Sequence, residues 1–91
     1  MIYDTGHSKT KIAFKGKCRA VVRANEFFGG TDSREYISDV LEDPTWGELF
    51  ECAKASQALT LDTHHVFFED VYQRDTVDMD GNALLSLSLG S

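Results

Sequence analysis

His64 and His65, followed by Glu69 and Asp70, are the densest set of groups in this chain able to hold a metal ion or pass a proton. Imidazole is the side chain that titrates near neutrality and a frequent metal ligand, and a nearby carboxylate can orient it or take its proton. The spacing works against a joint role. In an extended segment neighbouring side chains point to opposite faces, so His64 and Asp70 share one face while His65, Phe67 and Glu69 share the other. A zinc or iron site with three ligands would need His7 or a cysteine brought in by the fold. A metal-dependent enzyme using His64 or His65 with Glu69 or Asp70 therefore stands as an alternative, and a hydrogen-bonded strand edge is the preferred reading.

Two further stretches resemble ligand loops and fail on spacing. Asp78-Met79-Asp80-Gly81-Asn82 opens like a calcium loop, but its acids are misplaced around the glycine and no glutamate closes it, so a hairpin turn explains it better. Gly29-Gly30-Thr31-Asp32-Ser33 precedes a predicted helix without the lysine of a phosphate-binding loop or the G-x-G-x-x-G pattern. Cys18 and Cys52 are far apart and lack CxxC spacing, which fits two reduced, buried or half-buried thiols. No cofactor is expected.

Charge is distributed unevenly. The first 25 residues carry Lys9, Lys11, Lys15, Lys17, Arg19 and Arg23 against Asp4, whereas the remainder carries Arg34, Lys54 and Arg74 against 14 acids. The balances are 6 − 1 = +5 and 3 − 14 = −11. In a strand the six basic residues fall on one side, with Ile12, Phe14, Cys18 and Val22 on the other. Such a row can follow nucleic-acid phosphates. No aromatic residue lies among the basic side chains to stack bases, however, and the acids elsewhere repel the same polymer. A solvated strand face, or one meeting the acidic face of the helix expected over 34–43 (Glu35, Asp39, Glu42 and Asp43), is preferred. Those carboxylates, with Asp32, also suit a compact acidic inhibitor of the phage type that imitates nucleic acid.

The elements that would carry these groups can be read from periodicity. Residues 1–10 show no sustained period and are expected as an arm or loose first strand. Lys11–Lys15 alternates as a short strand, broken at Gly16. Residues 17–28 admit two readings: the second arm of a hairpin, or a helix with Ala20, Val21, Ala24, Phe27 and Phe28 on one stripe. A helix over 34–42, capped by Thr31 or Ser33, has Tyr36, Ile37, Val40 and Leu41 on its apolar face and stops at Asp43-Pro44. Thr45-Trp46-Gly47-Glu48 has capping-box spacing and opens a helix over 46–59. Residues 64–73 read as a strand with Val66, Phe68 and Tyr72 on one face and His65, Phe67 and Val71 on the other. Leu85, Leu87 and Leu89 alternate with serines in a last, half-buried strand.

These elements predict a single small α+β domain over residues 1–91, with an N-terminal strand or hairpin, two to three central helices and a C-terminal antiparallel β-hairpin packed beneath them. The expected core is Phe14, Tyr36, Ile37, Val40, Leu41, Trp46, Leu49, Phe50, Val66, Phe68, Leu85 and Leu87. With no apolar run near the length of a bilayer span and no signal-peptide pattern at the start, the chain is expected to be soluble and cytoplasmic, without membrane association. The function expected is that of a small acidic protein-binding module, self-associating as a homo-oligomer and not an enzyme. Its binding surface would draw on Lys11, Lys15, Lys17, Arg19, Arg23, His65 and Phe67. Nucleic-acid contact through residues 9–23 is the second alternative.

Overall fold

A computed structural model describes residues 1–23, 35–60 and 67–90. In chain order the elements are β1 (Ile2–Tyr3), β2 (Lys17–Arg23), β3 (Glu35–Ile37), β4 (Leu41–Glu42), α1 (Trp46–Thr60), β5 (Phe67–Val77) and β6 (Ala83–Gly90). The strands form one six-stranded mixed sheet in the order β1-β5-β6-β2-β3, with β4 also pairing β2. This corrects the expected architecture. The protein is mostly sheet with a single helix among the described residues, and the antiparallel β5–β6 pair lies in the middle of the sheet rather than beneath a layer of helices.

The largest correction concerns residues 34–42. Their apolar spacing fits a helical stripe, yet the described part forms β3 and β4, both antiparallel to β2. The physical reason is β2 itself. Its Ala-Val-Val centre is buried and needs hydrogen-bonding neighbours on both sides; β6 supplies one edge in parallel, and β3 and β4 supply the other. Short segments near residue 40 can satisfy that edge only when extended. Ile37 and Val40 then leave the core, at 53% and 41% exposed, while Tyr36 and Leu41 pack against it. The caps proposed at Thr31 and Ser33, and the helical alternative through Phe27 and Phe28, fall outside the described residues; within them, 17–23 is a strand.

Helix α1 forms where the capping-box spacing placed one. The Glu48 amide donates to Thr45 Oγ1 at 3.2 Å, and the Thr45 amide donates back to Glu48 Oε1 at 3.2 Å. The next two amides of the first turn are met by the N-terminal segment: Trp46 N donates to the Lys11 carbonyl and Gly47 N to the Lys9 carbonyl, each at 2.9 Å. Gly47 permits this approach, because a Cβ there would lie 3.0 Å from the Lys9 oxygen. A cap of this kind leaves the helix start no vacancy for an anion.

The helix covers one face of the sheet. Leu49, Phe50 and Ala53 from α1, with Trp46 at its start, bury against Cys18, Ala20 and Val22 of β2, Phe68 of β5 and Leu85 and Leu87 of β6. Phe50 and Phe68 stack at 6.1 Å between centroids and 11° between planes. Gly16 turns the chain into β2 at φ 117°, and Asp43 closes the opposite corner: the Gly16 amide donates to Asp43 Oδ1 at 2.6 Å, and the Asp43 amide to the Gly16 carbonyl at 3.0 Å. None of the described helices is long and apolar enough to cross a membrane.

Candidate functional site

The face of the sheet opposite α1 is the surface with unassigned chemistry. Alternation places Lys17, Arg19 and Val21 of β2, Leu84, Ser86 and Ser88 of β6, and Glu35 and Ile37 of β3 on it, because their neighbours Cys18, Ala20, Val22, Leu85, Leu87 and Tyr36 pack into the core. On β5 the assignment depends on a bulge. Phe68 lies opposite Leu89 and Asp70 opposite Ser88, so Glu69 is an extra residue in the ladder. The bulge reverses the faces predicted by simple alternation: Val71 turns toward the core with Phe68, and Tyr72 turns out beside Ser86, 59% exposed.

Two arginines cross this face. Arg74 of β5 donates from Nε to Ser86 Oγ on β6 at 2.6 Å and from a terminal nitrogen to Glu35 Oε1 on β3 at 3.0 Å. Its side chain therefore bridges β6 and β2 to reach β3, across the face on which alternation places Val21, a residue opposite Ser86 that is 1% exposed although α1 lies on the other side. Arg19 donates from Nε to Asp78 Oδ2 at 2.8 Å and from a terminal nitrogen to the Ser38 carbonyl at 3.0 Å. Asp78 also accepts from the amides of Asp80 and Asn82 and from Asn82 Nδ2. Those bonds, led by the Asn82 side chain, hold its carboxyl well below the usual carboxylate range. The segment is a turn organised by Asp78.

The predicted basic surface is divided up by these contacts. Lys17 stands directly opposite Glu42, Arg23 is opposite Glu35 in the ladder, and Arg19 is paired with Asp78. The acids reach the row from strands, not from the face of a helix. Lys11 and Lys15 are exposed in the loop before β2. Lys9 leaves the row altogether, with Nζ 4.9 Å from the Phe50 ring centre and 5.2 Å from that of Tyr3. Phe67 is half-buried and sits opposite Ile2 at the end of β5. His64 and His65 lie outside the described residues.

His7 stacks on Trp46 and not on a carboxylate. Among the described residues no three His, Cys, Asp or Glu side chains group as metal ligands. Both cysteines are free; burial pushes each thiol upward, and Cys52 lies beside Ser38 and Tyr36, whose hydrogen bonds oppose the shift. These are not activated nucleophiles. Of the residues that most shape the open face, Ile37 was expected in the core and Tyr72 on one face with Phe68, and Arg74 had no assigned role. Only the bulge at Glu69 exposes Tyr72, and no spacing in the sequence announces it. No family model, curated protein or solved structure matches the chain.

Proposed function

We propose that this chain is a small protein-binding module and that the sheet face opposite α1 is its binding surface, with a second copy of the chain as the occupant. The observation that carries the reading is the exposure of Ile2, Ile37 and Tyr72 on a sheet that, among the described residues, has a helix on one side only. The Arg19–Asp78 and Arg74–Glu35 pairs neutralise the charges between these residues, which lowers the cost of covering them. The neighbouring half-buried Phe67 and Leu84 extend the apolar area. Nucleic-acid contact draws less support, because acids from β3, β4 and the 78–82 turn stand against the basic row.

Light scattering after size exclusion, at low and high salt, tests the reading. A dimer that persists at high salt and is lost in the Ile37→Ser/Tyr72→Ser chain is the expected result. A salt-sensitive dimer untouched by those substitutions would move the contact to the exposed lysines. A monomer under both conditions would overturn self-association by this face.

A further inference from the structure

We infer that the groove between the end of β5 and the first turn of α1 recognises residues 1–7 as an extended peptide, and that it accepts this segment from a second copy of the chain. The proposal concerns the edge of β5 and the core-facing side of residues 1–7, and it does not rest on association through the open face, although Ile2 and Phe67 border both.

The bound segment already shows what the groove selects. Ile2 and Tyr3 add to the edge of β5 in parallel, opposite Phe67 and Phe68, and the Asp4 amide donates to the Phe68 carbonyl at 2.9 Å. That is strand addition of the kind by which sheet edges take peptides. Tyr3 fits edge-on against Phe50 at 5.2 Å and tilted against Phe68 at 6.0 Å. Its hydroxyl donates to the His7 carbonyl at 2.6 Å, which folds the segment so that the His7 ring lies flat on Trp46. Strand pairing, the Asp4 amide bond and two aromatic anchors thus read an extended segment with tyrosine at its third position and histidine at its seventh.

The connection permits exchange. Residues 8–11 form a turn held by the Lys11 amide on the Ser8 carbonyl at 3.1 Å and by the paired hydroxyls of Ser8 and Thr10. Beyond it the chain is anchored to its own body, by the Ile12–Thr45 bridge and by the Ala13 amide on the Pro44 carbonyl at 2.8 Å. None of residues 1–7 is buried, whereas Phe68, Phe50 and Trp46 beneath them are. The segment therefore opens at lower free energy than the core and leaves an apolar groove behind. Straightening the 8–11 turn gives up the Lys9 and Lys11 carbonyl bonds to the first turn of α1, and it lets each of two copies lay its segment in the other's groove with the β5 and aromatic contacts kept, as in exchange of an identical element between protomers.

The test uses two full-length chains in a Cys52→Ala/Ile37→Ser/Tyr72→Ser background, which removes association through the open face, one with Ile2→Cys and one with Phe67→Cys, at ladder-paired positions. Mixed and oxidised with glutathione disulfide, they are expected to form a disulfide-linked heterodimer whose yield rises with protein concentration and exceeds that of either chain alone. A bond that forms only inside a chain carrying both substitutions, with none between the mixed chains, overturns exchange. Should Phe67→Cys fail to fold, the unaltered full chain is titrated with a fluorescently labelled peptide of residues 1–7. Saturable anisotropy is expected, with an Asp4→Pro peptide binding about fivefold or more weakly for want of the amide hydrogen bond. Absence of saturation, or equal binding of the two peptides, overturns the proposal.

Discussion

The His7 imidazole lies on the Trp46 indole with 4.3 Å between ring centres and 12° between planes, and this contact ties the N-terminal segment to the start of α1. Replacing His7 with Ala removes the stack while keeping the backbone bonds of Lys9 and Lys11 to the helix. The expected cost is about 0.5–1.5 kcal/mol, typical of an aromatic pair. Urea unfolding followed by Trp46 emission measures it, and the native emission should shift to the red as the indole meets water. An unchanged emission maximum would show that the stack is not populated in solution.

Arg74 and Glu35 are joined across the breadth of the sheet, with their side chains each 30% exposed. Exposure of that order keeps the pair's own coupling to about 0.2–1 kcal/mol. Arg74→Ala should cost more than Glu35→Ala, because it also removes the Ser86 bond and uncovers Val21. A double-mutant cycle in urea gives the coupling. Equal losses from the two single substitutions would contradict the role of Arg74 as a cover for Val21.

Asp78 should impose a pH dependence on folding. Its folded pKa is depressed, so its stabilisation is present above the unfolded value near about 3.9 and is lost as pH falls toward the lower folded value. Asp78→Asn should therefore lower the urea midpoint at neutral pH, and the gap between variant and parent should close only in strong acid. A gap that closes already between about pH 6 and 5, above the ordinary carboxylate range, would assign the effect to other groups.

The two thiols should react slowly and in order. Burial raises both above their usual value, so little thiolate is present near neutral pH. Cys52, half-buried on α1, should be alkylated by iodoacetamide first, and Cys18, fully buried in β2, only after denaturation. Mass spectrometry over time reads the order, and fast modification of Cys18 in the native protein would contradict its burial.

Local chemistry alone determined several elements. Thr45 and Glu48 mark a helix start because each satisfies an amide of the other's turn, and Leu85 and Leu87 point to a core because a strand repeats every two residues. The basic side of residues 17–23 was legible for the same reason. Partners decided the rest. Residues 35–42 have spacing compatible with a helix, and they are extended because the buried strand β2 needed a hydrogen-bonding neighbour there. Tyr72 faces outward because one extra residue, Glu69, reverses the alternation of β5, and no local preference fixes where a bulge falls. The open face of the sheet and the seat of residues 1–7 were the least legible parts. Arg74 meets Glu35, and residues 1–7 meet Phe50 and Trp46, across separations in sequence that only the closed sheet removes.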